Sequence, residues 1–496
     1  MTVLAGTAPL PRAVRAARRV SDPVVRADRA LVLLTGLVAA AGGLLFVRAA
    51  PETYDSQIML QVTQGIATGR GLTTTQDIFG FNTPYSSYGI GMSLLMLLPY
   101  ALARLVGTDP VAAAMDVNAL VLGLICACAC ATALLLGLRR RAAVVVALLI
   151  GAGTPLLAYT SSAFSEPGVG LGVAMGLLGL AAMLRERPWG PACAGAGAGV
   201  ALLMRTDSAV LVVPWLGLAT VLLAHRGRRV RELAAAAVPL TAAVGVLAAY
   251  NAVRFGSPLR GGYAGQPFDH PVLDGLRGLL VSPARGLLWY CPLAVVLFGA
   301  LLWARRDERV VAGLAAVLLL VRLVFYARWW AWNGGWCWGP RFLVPAMPGL
   351  AVGLIVLARH WPQWGVARRA ALGVVAAVSV AVSLVGATVA YEASPLTQQS
   401  LSHFDWSGDS VAHQPATQAA VSRAMEEWSL FPVTDEARML VRGDALAGRA
   451  FHARGPGVLR EGVLLTLALL GGAALLRLSG ARRENSEADR DPASAA

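Results

Sequence analysis

Apolar runs close to the length of a bilayer crossing recur along the whole chain, and they decide what it can fold into. A span takes about 20 apolar residues. Backbone at that depth must satisfy its own hydrogen bonds, which makes helices the structure to expect. The runs cover 30–48, 112–138, 142–160, 166–184, 190–204, 208–224, 232–252, 287–304, 309–327, 342–358, 370–390 and 459–478. The expected fold is therefore an all-α polytopic membrane protein with about twelve transmembrane helices. One further apolar stretch, 88–106, is ambiguous, and whether it crosses decides the sidedness of everything after it.

Charge argues that it does not cross. The chain carries a net charge of +14, all of its basic residues are arginine, and the arginines cluster beside apolar runs. That placement follows the positive-inside rule and gives no reason to expect nucleic acid as a partner. With 88–106 folded back on the outside as an interfacial helix, the inner connectors hold Arg139, Arg140 and Arg141, then Arg185 and Arg187. They also hold Arg226, Arg228, Arg229 and Arg231, then Arg305, Arg306 and Arg309, then Arg359, Arg368 and Arg369. The short outer hairpins hold only Arg205, Arg328 and Arg341. A crossing at 88–106 would invert this pattern against the arginine-rich N-terminus. The expectation is a plasma-membrane protein with both termini cytoplasmic: a basic N-terminus (1–29), a core (30–390), an extracytoplasmic segment (391–458), a last crossing (459–478) and a polar, disordered tail (479–496). The run 30–47 follows a long basic region and is long enough to stay as an anchor rather than a cleaved signal.

The outer side then collects the unusual residues, in loops 49–111, 253–286 and 328–341 and two tight turns. Asp55 follows the first crossing by a few residues, at the start of a segment with loose helical spacing that suits the membrane interface. A solvated carboxylate is the plain alternative. Asp77 and Asn82 lie further along that loop. Glu166 precedes Pro167 at the mouth of the next crossing, where an acid and a proline both suit a helix start. The run 190–204 is only about 22 Å long as a helix, against about 30 Å of hydrocarbon. Its closing turn, with Arg205 and Asp207, should lie below the interface, where ionisable groups face a cavity or a bundle interior. An ion pair that merely closes the turn is the alternative.

The stretch RWWAWNGGWCWGPR (328–341) is the densest. An interfacial belt explains one or two of its five tryptophans. It does not explain Gly334 and Gly335, which permit close backbone approach, nor Arg341 at the start of a crossing, where a guanidinium opposes the helix dipole unless an anion sits there. The six cysteines form no CxxC pair; Cys126, Cys128 and Cys130 read as packing, and a Cys291–Cys337 disulfide is not expected. His270, in loop 253–286 with Tyr263, has no second ligand at metal spacing.

Together TYDS (Asp55), FSEP (Glu166), LLMRTD (Arg205), SPARGLLWYCP (282–292) and WNGGWCWGPRFLVPAMP (332–348) resemble the GT-C superfamily of integral-membrane glycosyltransferases, specifically bacterial members that use polyprenyl-phosphate sugars. The resemblance spans about residues 30–390. It implies transfer of a sugar from a polyprenyl-phosphate donor to a hydroxyl of a glycan, lipid or protein at the extracytoplasmic face. Asp55 would then be the base, Glu166 a second catalytic residue, and Arg205 and Arg341 the donor-phosphate ligands. Tyr263, Trp332, Gly334, Gly335 and Trp336 would hold the substrate. The single acid at Asp55, where the family often has a pair, weakens the case for a metal and leaves a divalent cation an open question. A transporter or flippase of lipid-linked sugars, or a non-catalytic envelope assembly protein, are the rival readings. A transporter would place polar sites near the midplane on repeated broken helices; here the unusual residues gather on one side.

Overall fold

The computed structural model describes residues 23–75, 83–225, 230–263, 266–402, 415–452 and 456–480. Asp77, Asn82, Arg226, Arg228, Arg229 and the tail from 481 onward lie outside them. The described residues fold into helices with no strand, apart from two isolated bridges, Thr73 to Tyr85 and Val389 to Leu446. Seven helices among them are long and apolar enough to cross a membrane: 110–135, 166–184, 230–255, 308–327, 341–363, 366–388 and 457–480. Each coincides with one of the expected crossings.

Two expected crossings are broken and a third changes helix type along its length, each at proline. The helix Arg140–Ala152 ends before Pro155 and resumes as a short 3-10 turn, Ala158–Ser161. The run 287–304 splits at Pro292 into Leu287–Tyr290 and Ala294–Trp303. The run that begins at Arg341 opens as a 3-10 helix, Arg341–Gly349, containing Pro345 and Pro348, before Leu350–His360 becomes α-helical. Proline lacks the amide needed for the α-helical ladder. Irregular backbone of this kind is tolerated at membrane depth only when protein covers it, and all nine residues of Arg341–Gly349 are buried.

One hairpin positions the site more than any other element. The helices Glu166–Leu184 and Gly190–Met204 run antiparallel through a seam of small residues. A Cβ on Gly172 would lie 2.6 Å from the Gly197 carbonyl oxygen, and one on Gly179 would lie 2.5 Å from the Ala194 nitrogen. Such small-residue seams let membrane helices approach closely, where packing rather than the hydrophobic effect holds them. The seam brings the first residue of one helix, Glu166, beside the residue that ends the other, Arg205.

The stretch after the first apolar run adds two more helices at that end. Tyr54–Thr68 starts on an N-cap in which Thr53 Oγ1 accepts from the Ser56 amide at 3.2 Å. Gly91–Val106 buries Met92, Met96, Tyr100 and Ala103 and leaves Leu98, Leu102 and Leu105 exposed. Its start packs on the end of Gly190–Met204: a Cβ on Gly91 would lie 2.7 Å from the Leu203 carbonyl carbon. The segment after Val366–Thr388 folds back as Pro395–Ser402, Pro415–Ala424 and Pro432–Arg442. It is pinned to the first loop through Arg48, which donates to Glu392 at 2.8 Å and also to Glu52.

Candidate active site

Five separate parts of the chain converge on one chain of charges. Asp55 sits in the first turn of Tyr54–Thr68, where the helix N-terminus favours a negative charge. The Ser56 hydroxyl fixes that turn to the neighbouring hairpin by accepting from the Ala163 amide at 3.2 Å. Asp55 Oδ2 accepts from Arg341 Nη2. Arg341 Nε donates to Glu166 Oε1 at 2.7 Å, and Arg205 Nη1 donates to the same oxygen at 2.7 Å. Arg205 Nε donates to Asp207 Oδ1 at 2.9 Å. Asp207 Oδ2 in turn accepts from the Tyr326 hydroxyl and lies 3.6 Å from Arg322 Nη1. Three guanidinium groups thus alternate with three carboxylates, from the surface of the site to the interior of the bundle.

Aromatic rings clamp this network. The Arg341 guanidinium lies 4.1 Å from the centre of the Phe164 ring, and Arg205 lies 5.5 Å from that of Phe342. Phe342 stacks on Tyr326 with ring centres 3.9 Å apart and planes 4° from parallel. A guanidinium is weakly hydrated and planar, which suits it to such partly dry, stacked positions.

A cavity of about 290 Å³ opens over the network. Of the residues singled out in the sequence, Asp55, Arg205, Arg341, Tyr263, Gly334, Gly335 and Trp336 line it. Glu166 does not: it is fully buried beneath the cavity and joins the two arginines, while its Oε2 receives no hydrogen bond. Trp332 does not either. It is 2% exposed, packs on Gly278, and lies with its ring centre 5.8 Å from that of His270, so it supports the connector from below. Trp336 faces the cavity, and its indole N–H donates to Ser400 Oγ at 3.3 Å. Gly334 and Gly335 have φ of +75° and +69°, a backbone region that disfavours side chains. Close approach matters at Gly334 alone, where a Cβ would lie 3.2 Å from Arg341 Cβ; nothing stands within 4 Å of one on Gly335.

A second cavity, of about 500 Å³, shares Arg205, Tyr263, Gln266 and Trp329 with the first. Its other walls include Val244, Leu247, Leu259, Phe268 and Phe325. Val244, Leu259 and Phe268 are exposed apolar residues, so this cavity opens onto the apolar flank of the bundle.

Several participants carried no expectation from the sequence. Phe164 and Phe342 line the first cavity, as do Tyr391, Glu392, Thr397, Leu401 and Val421 from the segment after residue 390, beside Trp329 and Trp330 of the tryptophan-rich connector. Arg322, fully buried in a helix of apolar composition, and Tyr326 complete the charge chain. Among the described residues no three His, Cys, Asp or Glu side chains are gathered to hold a metal ion, and Asp55 is engaged by Arg341. All six cysteines are free.

No protein-family model and no curated protein matches the chain. Among solved structures, it is similar to ArnT from Cupriavidus metallidurans bound to undecaprenyl phosphate, at 16% identity and a TM-score of 0.48, over 83% of this chain and 77% of that one. The same protein in the apo state gives 16% identity and a TM-score of 0.45, over 84% and 77% of the two chains.

Proposed function

We propose that the chain is a GT-C-type membrane glycosyltransferase that moves a sugar from a polyprenyl-phosphate donor to an acceptor hydroxyl at the extracytoplasmic face. The observation that carries this reading is the contact between Asp55 and Arg341 in the wall of one cavity that adjoins a second, lipid-facing one. Sugar transfer from a lipid phosphate needs a proton acceptor, cations for the leaving phosphate, and a dry place for a hydrocarbon chain, all within a few ångströms.

In this reading the donor's isoprenoid chain enters from the bilayer through the second cavity, along Val244, Leu247 and Phe325, and its phosphate reaches the first cavity past Arg205. The acceptor hydroxyl gives its proton to Asp55, whose Oδ1 receives no hydrogen bond from the described residues. The new bond forms between the acceptor oxygen and the sugar's anomeric carbon as the bond from that carbon to the phosphate oxygen breaks. The polyprenyl phosphate leaves with more negative charge than it had as a diester. Arg341 and Arg205 stabilise that charge where burial strengthens the interaction. Glu166 orients both arginines and touches neither substrate. Tyr263, Trp336, Gly334 and Gly335 shape the space for the sugar, with Trp332 as a support. The acceptor belongs to the broad class of glycan, lipid or protein hydroxyls. Outer sidedness rests on the arginine asymmetry.

The test is transfer by the purified protein in nanodiscs, supplied with polyprenyl-phosphate sugars and envelope glycans. The expected result is sugar-free polyprenyl phosphate as a product, formed by the wild type and lost in Arg341→Ala. An Arg341→Ala protein that releases it at the wild-type rate would overturn the assignment.

A further inference from the structure

The charge chain has a consequence for the arginines assigned to the phosphate. Arg205, Arg322 and Arg341 face Asp55, Glu166 and Asp207, three cations against three anions in direct ion pairs. Arg48, at the rim, faces Glu52 and Glu392. None of these guanidinium groups brings surplus positive charge to an incoming anion. Two more buried arginines stand behind the cavity walls. Arg254 lies in the last turn of Val230–Phe255, where the helix dipole favours a cation, and its guanidinium covers the Tyr250 ring at 3.6 Å.

Arg285 has no such compensation. It is 2% exposed, and among the described residues it meets no carboxylate within ion-pair distance and no aromatic face. Its three contacts are carbonyl oxygens: Nε donates to Asn333 at 2.6 Å, Nη2 to Gly335 at 2.6 Å and Nη1 to Ala284 at 2.7 Å. Glu436, a buried acid near it, does not answer the charge. Burial first, and then Glu392, push the Glu436 carboxyl well above the usual carboxylate range, and neither of its oxygens receives a hydrogen bond. A buried cation without an anion is costly, yet the fold holds this one directly behind Asn333, Gly334 and Gly335, which line the cavity.

We propose that Arg285 is a positioning residue for the donor phosphate: it turns the carbonyls of Asn333 and Gly335 away from the cavity and supplies, through the connector, the positive charge that the phosphate balances. This rests on reading the cavity as a phosphate site. The positive φ of Gly334 and Gly335 lets the connector turn its carbonyls this way. The carbonyl grip alone would be a loop staple. Charge and grip are separable, because glutamine keeps a donor amide without the charge, and lysine keeps the charge without the fork.

The experiment compares two probes in nanodiscs, undecaprenyl phosphate and the uncharged alcohol undecaprenol, and reads the ratio of their affinities. The wild type should prefer the phosphate. Arg285→Gln should cut that preference by about tenfold while leaving undecaprenol binding unchanged, since one unit charge across a partly dry wall has an effect of this order. Arg285→Lys should keep the preference even if both affinities fall, and it serves as the deciding variant should the glutamine protein fail to fold. An unchanged ratio in Arg285→Gln, an equal loss of both lipids, or a lost preference in folded Arg285→Lys would each overturn the proposal. A wild type with no preference for the phosphate would overturn the functional reading itself, and the role of Arg285 with it.

Discussion

Replacing Asp55 by Asn tests base and phosphate site in a single protein. The amide keeps the shape of the carboxylate and can still accept from Arg341, so the ion-paired turn at the start of Tyr54–Thr68 should fold as before. Two effects then run in opposite directions. Loss of the proton acceptor should lower turnover by about 10²- to 10⁴-fold, the usual share of acid–base catalysis. Loss of its negative charge should strengthen donor binding. A carboxylate about 5 Å from a bound phosphate repels it by about 3 kcal/mol at an effective dielectric near 20, and residual water access to Asp55 reduces this, leaving a gain of about tenfold. Binding of undecaprenyl phosphate and single-turnover transfer, both in nanodiscs, separate the two. A structural role for Asp55 would weaken both together. A variant that transfers at the wild-type rate, or whose donor affinity falls along with its rate, refutes the reasoning.

Three other perturbations discriminate between parts of the account. Glu166→Gln removes the carboxylate shared by two buried arginines and should cost about 3–5 kcal/mol of stability, read as a lower unfolding midpoint in detergent; an unchanged midpoint would mean the bridge is not structural. Trp332→Ala should lower folded yield, with about 3–5 kcal/mol lost from the core, and leave the donor affinity of the surviving protein intact. Trp336→Ala should keep its yield and bind donor more weakly; the reverse pattern would exchange their roles. Glu436→Gln should change how stability depends on pH. Its folded-state pKa lies above the unfolded value, so the folded protein holds a proton that the unfolded chain releases as pH rises. Wild-type stability should therefore fall through that window, by about 1.4 kcal/mol per pH unit, and the variant should gain on it as pH rises above the unfolded carboxylate range. A gap between the two midpoints that does not vary with pH would mean that Glu436 is ionised.

The parts of the site that were legible in the sequence were the costly ones. Asp55, Glu166, Arg205 and Arg341 each stand at the edge of an apolar run, where a charge needs a reason. The sequence does not say that they meet each other, so position alone puts Glu166 at the mouth, whereas it forms the bridge beneath the cavity. Arg322 is equally visible, since it interrupts an apolar run, but it stands inside a helix, away from the connectors where the other charges gather. The breaks at Pro155, Pro292, Pro345 and Pro348 follow from proline chemistry, yet apolar length alone masks them. Trp332 and Trp336 could not be told apart, because an irregular connector has no periodicity to assign faces. The contributions of Tyr391, Glu392, Thr397, Leu401 and Val421 come from tertiary folding of a segment with no local motif.

The most direct test of the central claim follows a labelled polyprenyl-phosphate sugar in proteoliposomes, with protein in the membrane and acceptor glycans supplied outside. The account predicts that the label leaves the lipid, becomes covalently attached to an acceptor hydroxyl, and leaves one polyprenyl phosphate for each sugar transferred, with Asp55→Asn blocking this step while still binding the lipid. Lipid-linked sugar that moves between leaflets intact, with no polyprenyl phosphate released, would identify a transporter and contradict the account.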